Sequence, residues 1–213
     1  MTLIFDYDGT LHNTKHLYGC AFRTAYDMLV KEGYAPAHFY RDEDVSKNLG
    51  VNAPDMWNSF MPELPKDIMQ RASMTIGREM ISGIHSGKAC LYEGIPEVLD
   101  ILKRRDMRLL ILSNCRHSYM EAHRSQLMLD RWFDDYFCAE DYGFIPKEDI
   151  FLHLKEKYPD TSYIMIGDRA SDIKVGIANG IKTIGCAYGF GSDEELAPAD
   201  LVISSPSELP ENI

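Results

Sequence analysis

Leu3-Ile4-Phe5-Asp6-Tyr7-Asp8-Gly9-Thr10-Leu11 opens with a short apolar run that stops on two alternating aspartates, a glycine and a threonine. A few consecutive apolar residues bounded by turn-forming residues read as a strand buried on both faces, and such strands belong to parallel sheets. Similar runs occur at residues 109–112, 163–166 and 183–186, with a shorter one at 201–203. Helical spacing fills the gaps. Val98, Leu99 and Leu102 share one side of a segment over 95–103, with Pro96 in its first turn. Ile150, Phe151 and Leu154 repeat at helical spacing, as do Ile173 and Ile177 before Gly180. Strands alternating with helices predict an α/β fold with a doubly wound, Rossmann-like parallel sheet.

Residues 12–86 break that rhythm, with helix patterns and no strand. Leu17, Tyr18, Ala21, Phe22, Ala25, Met28 and Leu29 form an apolar stripe that ends near Gly33. Ile68, Met69, Ala72, Ile76 and Met80 share a face of a second helix over about 65–80, and Pro36, Pro54 and Pro62 punctuate shorter pieces. The expected organisation is a sheet domain from residues 1–11 and 87–213, interrupted by a small all-helical domain over 12–86.

Ligands of open parallel sheets bind beyond the carboxyl ends of the strands. There, the first run is followed by Asp6 and Asp8, and the second by Ser113 and Asn114. The third is followed by Gly167-Asp168, with Asp172 one helical turn on. Carboxylates converging in one crevice raise one another's pKa unless a cation joins them. An oxygen-only ligand set without a His or Cys cluster points to a hard metal, and Mg²⁺ is the usual partner of phosphate chemistry.

The formal net charge of −11 argues against non-specific nucleic-acid binding through a basic face. No apolar run approaches a membrane span, and the amino terminus does not read as a secretory signal, so the cytoplasm is the expected compartment. Cys20, Cys90, Cys115, Cys138 and Cys186 show no CxxC spacing and read as reduced thiols in or near a core. The acidic stretch 193–195 reads as solvated surface.

Taken together, Phe5 to Leu11, Leu112-Ser113-Asn114 and Ile166-Gly167-Asp168-Arg169-Ala170-Ser171-Asp172 resemble the first, second and fourth motifs of the haloacid dehalogenase superfamily. Ala178-Asn179-Gly180-Ile181 and the stretch 188–196 are similar to its phosphoglycolate-phosphatase-like members, and the helical insertion matches the cap domain of one subclass. The resemblance implies a Mg²⁺-dependent phosphatase acting on a small-molecule phosphate ester, with Asp6 as nucleophile and Asp8 as acid–base residue. It implies metal binding by Asp6, Asp168 and the Asp8 backbone carbonyl, with Asp172 supporting the metal or the lysine. Ser113, Asn114 and Thr10 are implied at the substrate phosphoryl group, Thr10 also beside Asp8.

The third motif requires a lysine, and Lys147, just before the Ile150 helix, is assigned to it although Pro146 precedes rather than follows it. An acid–base aspartate at position 8 argues against dehalogenation. Tyr18 stands where the sugar-phosphate mutases of the superfamily place a histidine. His12 and His16 read as exposed residues near the start of the insertion, with substrate contact as the alternative. Arg116 either touches substrate or caps a helix. Pyrophosphatase, nucleotidase and non-catalytic phospho-ligand sensor remain the alternative functions.

Overall fold

The structure, a computed structural model, describes residues 1–47, 49 and 53–213, without the side chains of 53–55. It divides into two compact units, Thr14–Ala89 on one hand and Met1–Asn13 with Cys90–Ile213 on the other.

The first is helical: α1 (Lys15–Lys31), α2 (Asp42–Ser46), α3 (Ala53–Phe60) and α4 (Lys66–His85). The stripe read from the sequence is the buried face of α1, extended by Tyr26, with Met28 half-buried at its margin. Phe22 lies fully buried, with the rings of Tyr26, Tyr40, Trp57 and Phe60 at centroid distances of 5.3 to 6.3 Å. Trp57 Nε1 donates to Ser73 Oγ on α4 at 2.9 Å, so the indole is buried without losing its hydrogen bond. A Cβ on Gly83 of α4 would fall 2.4 Å from Leu17 Cδ1, which is why a side chain is absent where α1 and α4 approach. The side chain of Pro54 lies outside the described residues.

The second unit is a six-stranded sheet of β1 (Thr2–Phe5), β2 (Arg108–Ser113), β3 (Asp135–Cys138), β4 (Tyr163–Gly167), β5 (Lys182–Cys186) and β6 (Leu201–Ile203). All pairings are parallel, in the order β3-β2-β1-β4-β5-β6. Helices α5 (Ile95–Arg104), α6 (His117–Gln126), α7 (Lys147–Lys157), α8 (Ala170–Asn179) and the short α9 (Asp193–Leu196) connect or follow the strands. Leu3, Phe5, Leu109, Ile111 and Ile166 pack on one face with Val98, Leu99 and Leu102 of α5 and Met120 of α6. Ile4, Leu110, Leu112 and Met165 pack on the other with Ile150, Phe151 and Leu154 of α7 and Val175 of α8. Alternate strand residues thus feed two cores, and the sheet is doubly wound as expected.

Four sequence expectations are corrected. A sixth strand, β3, went unread because Asp135-Tyr136-Phe137-Cys138 is no apolar run; it is an edge strand paired with β2 alone. Ile177 is 67% exposed, because α8 turns Asp172, Ile173, Val175 and Gly176 inward instead. The unit boundaries fall at 13/14 and 89/90 rather than 11/12 and 86/87. The Asn13 amide donates to the Cys90 carbonyl at 3.0 Å and His12 bridges Leu91, which keeps these residues with the sheet. All five cysteines are free thiols, but Cys90 is exposed rather than near a core. Among the described residues no helix is long and apolar enough to cross a membrane.

Asp160 ties the entry of β1 to the loop before β4, accepting from Thr2 Oγ1 at 2.9 Å and from the Thr161 amide at 2.7 Å. Burial alone would raise its pKa; the Thr161 amide and Thr2 hydroxyl outweigh it and bring the group down to about 2. A carboxylate held below its unfolded value stabilises the fold above about pH 4 and loses that contribution as pH falls through about 2. Asp160→Asn is therefore expected to cost about 1 kcal/mol at pH 7. In urea denaturation the gap to the parent should close as pH is lowered toward 2, and a gap independent of pH would contradict this account.

Candidate active site

Asp6 follows the last residue of β1, its amide donating to Ile166 O of β4 at 2.8 Å, so the backbone pairing itself sets where the carboxylate emerges. Lys147, the first residue of α7, reaches it. Its ammonium lies 2.6 Å from Asp6 Oδ1 and 2.6 Å from Asp172 Oδ1, and all three residues are buried. Pro146 as the N-cap residue suits a helix start, having no amide hydrogen to satisfy. Burial disfavours the Lys147 ammonium, but Asp172 and Asp6 override it and hold its pKa above the ordinary lysine value. For Asp6 burial wins: its carboxyl is pushed well above the usual range, with Asp172 and Asp168 adding to the effect and Lys147 opposing it.

Asp168 sits just past β4, raised to about 6 by burial and by Asp172. Its Oδ2 accepts from the Phe190 amide at 2.7 Å and its Oδ1 from the Thr10 hydroxyl at 3.1 Å. Three glycines make room for it. A Cβ on Gly9 would lie 2.2 Å from Asp168 Oδ2, one on Gly189 2.3 Å from Asp168 Cβ, and one on Gly191 1.9 Å from the Asp168 carbonyl oxygen. Gly9 also has φ +91°, a conformation that strains other residues. Asp6, Asp168 and Asp172 each offer an oxygen within 4.8 Å of the others. Three buried carboxylates against one ammonium leave excess negative charge, and the all-oxygen donor set fits a hard divalent cation.

Asp8 stands apart from that trio. Its Oδ1 accepts from Tyr119 OH of α6 at 2.8 Å and lies 3.0 Å from His12 Nδ1. His12, expected to be exposed, is fully buried: its ring stacks on Tyr7 and meets His123 of α6 edge-on, its backbone held by the Tyr7 carbonyl and by Leu91. Thr10, expected beside Asp8 and at the substrate, is buried and donates to Asp168 instead. Ser113 ends β2 with its Oγ accepting from the Cys115 amide at 3.3 Å, and Asn114 follows, exposed. His16 belongs to the helical unit, 66% exposed and bonded to Asp42 at 2.9 Å. Arg116 is the N-cap residue of α6 but makes no side-chain cap bond; it faces solvent 3.7 Å from Glu140.

Glu195, expected on solvated surface, receives Arg169 Nε at 2.9 Å and the Ala170 amide at 3.1 Å, bracing the loop after Asp168. The sequence names His12 without linking it to Asp8, and does not single out Tyr119, His123 or the Arg169–Glu195 pair. The one available signal was spacing, since Asp8 with His12 and Tyr119 with His123 each lie four residues apart.

The model of the haloacid dehalogenase-like hydrolase family matches residues 3–186. The chain belongs to that family. This hydrolase is 27% identical over 213 residues to pyrophosphatase PpaX of Bacillus pumilus, covering 98% of the chain and 94% of that protein. It is 30% identical over 122 residues to a 5′-nucleotidase of Pseudomonas aeruginosa, a match that spans 56% of the chain and only 54% of that protein. A haloacid dehalogenase-like hydrolase from Streptococcus pneumoniae shares the fold, with a TM-score of 0.81 at 21% identity over 99% of this chain and 97% of that one.

Among the described residues of this hydrolase, Lys147 is the ammonium bonded to the buried Asp6 and Asp172. Replacing it by methionine keeps the volume and strands Asp6 and Asp172 without their cation, a change that costs about 3–5 kcal/mol for buried pairs. Lys147→Met is expected to lower the urea midpoint accordingly, and Asp6→Asn in the Lys147→Met background should recover part of the loss. A methionine variant as stable as the parent would show that the pair is not needed for folding.

Proposed function

We propose that the chain is a Mg²⁺-dependent phosphatase that hydrolyses a small phosphomonoester through an aspartyl-phosphate on Asp6. The observation that carries this reading is the buried trio Asp6, Asp168 and Asp172 beyond the carboxyl ends of β1 and β4, with Lys147 bonded to Asp6 and Asp172. Phosphoryl transfer asks a protein mainly for positioning and charge neutralisation, and this arrangement supplies both. The nucleophile Asp6 attacks phosphorus while the bond to the leaving oxygen breaks, and Asp8 delivers a proton to that oxygen. Water then attacks the acyl phosphate, Asp8 takes its proton, and phosphate departs with Asp6 restored. Lys147 balances the carboxylates and the incoming phosphoryl charge, with Ser113 and Asn114 as its hydrogen-bonding groups. Asp6, Asp168 and the Asp8 carbonyl would hold the metal, with Asp172 supporting Lys147. Bound there, Mg²⁺ neutralises negative charge on the phosphoryl oxygens. Thr10 is reassigned to holding Asp168. The helical unit is proposed to choose the leaving group.

For the substrate, the near full-length match to pyrophosphatase PpaX favours pyrophosphate as a second reading. The shorter nucleotidase match brings nucleoside monophosphates alongside it, and phosphoglycolate and sugar phosphates complete the set. Hydrolysis of p-nitrophenyl phosphate is expected to require Mg²⁺, to stop in excess EDTA, and to fall by about 10³-fold or more in Asp6→Asn. Activity that survives either treatment would overturn the mechanism. Phosphate release across a panel of phosphorylated metabolites and pyrophosphate, ranked by kcat/KM, assigns the substrate. Tight binding of esters across that panel without turnover would instead make the protein a phospho-ligand sensor.

A further inference from the structure

We propose that His12 and Tyr119 are positioning residues for Asp8, fixing the carboxyl so that it can protonate the leaving oxygen. The inference rests on the phosphatase reading above and adds to it two residues that lie outside the motifs.

Both residues act on the same atom. Tyr119 OH reaches Asp8 Oδ1 at 2.8 Å and His12 Nδ1 reaches it at 3.0 Å, so a half-buried side chain with two rotatable bonds is held at one oxygen by two groups. Neither holder is loose. The His12 amide donates to Tyr7 O at 2.9 Å and its carbonyl accepts from Gly9 at 3.0 Å. Its ring is enclosed by Tyr7 at a centroid distance of 5.5 Å and His123 at 4.3 Å. Tyr119 packs on the same His123 at 4.5 Å, one turn along α6. His123 is itself buried and kept neutral, its pKa pushed down to about 3 by burial and by His12. It therefore serves as an aromatic spacer between the two rings.

A plain packing role would not call for this chemistry. Phenylalanine at 119 and leucine at 12 would fill an aromatic core without placing polar atoms there, and buried polar groups cost stability unless bonded. Here both polar atoms are used on the carboxylate assigned as the acid–base residue. Tyr119 OH donates to Oδ1, and with His12 in the tautomer that carries its proton on Nδ1 the same oxygen is engaged twice, so Oδ2 is the oxygen proposed to carry the transferred proton. That proton goes to the leaving oxygen as the phosphorus–oxygen bond breaks, and Asp8 regains one from water in the second step. Tyr119, its hydroxyl pushed well above the usual phenol range by burial and by Asp8, holds its own proton. Defined geometry of this kind is what makes general acid catalysis effective.

The test exploits the fact that help from an acid grows with the basicity of the leaving group. Tyr119→Phe, His12→Leu and His12→Asn would be assayed for kcat/KM on p-nitrophenyl phosphate, phenyl phosphate and an alkyl phosphate, with thermal melts to confirm folding. Tyr119→Phe and His12→Leu are expected to lose about threefold or less on the nitrophenyl ester and about thirtyfold or more on the alkyl ester. His12→Asn, whose amide lies near the place of Nδ1, should recover most of the loss seen in His12→Leu. A loss equal across the series, or no loss, in folded variants overturns the inference while leaving the phosphatase reading intact. A parent enzyme that hydrolyses no phosphate ester overturns the reading itself, and this inference with it.

Discussion

The site depends on a single buried ammonium shared by two carboxylates. Lys147 lies 2.6 Å from both Asp6 and Asp172, in a place where none of the three charges can be solvated by bulk water. Such an arrangement holds only if three separate elements arrive together: the end of β1, the first turn of α7 and the first turn of α8. Sheet order brings them there. β1 has β2 on one side and β4 on the other, so the chain leaves it toward opposite edges and a crevice opens beyond its carboxyl end. The two hydrophobic cores on either face of the sheet are what keep that convergence rigid enough for charges to be held at hydrogen-bond distance.

Around this centre the chain thins to bare backbone. Gly9, Gly189 and Gly191 all approach Asp168 so closely that any side chain would collide with it, and Gly167 stands in the same relation to Asp172. The carboxylates thus occupy slots cut to their own size, and their oxygens are directed by amides and hydroxyls such as those of Phe190 and Thr10. A trio of acids packed this way has little freedom to relieve its repulsion by moving apart. Burial first, and the neighbouring aspartates after it, hold the Asp6 and Asp168 carboxyls above the usual range, and a bound cation is the natural remedy.

Much of this was legible because local sequence and local structure agree along buried strands. Leu3 to Phe5, and the runs that became β2 and β4, are apolar because both faces are covered, and the polar residues after them mark the edge where the carboxylates gather. Lys147 was legible as the lysine at a helix start in the right interval. What escaped depends on distant parts of the chain. β3 has a neighbour on one side only and can carry Asp135. His12 looks like a polar linker residue until α6 brings His123 and Tyr119 against it. The Thr10 hydroxyl has two aspartates within sequence reach, and only the fold of the loop decides that Asp168 receives it. Glu195 likewise gains meaning only when α9 meets the start of α8.

The hydrogen bond between Asn13 and Cys90 has a consequence for how the chain came to be built. To the sheet, everything between these residues is a loop whose two ends are already stitched together. The entropy of closing a loop rises only by about 0.6 kcal/mol for each doubling of its length. Replacing a turn of about four residues by the whole helical unit therefore adds about 2.5 kcal/mol of closure cost, which packing within that unit can offset. The junction is a socket: a change in the length of the excursion it carries is felt at the Asn13–Cys90 stitch before it reaches the strands and the acids at their tips.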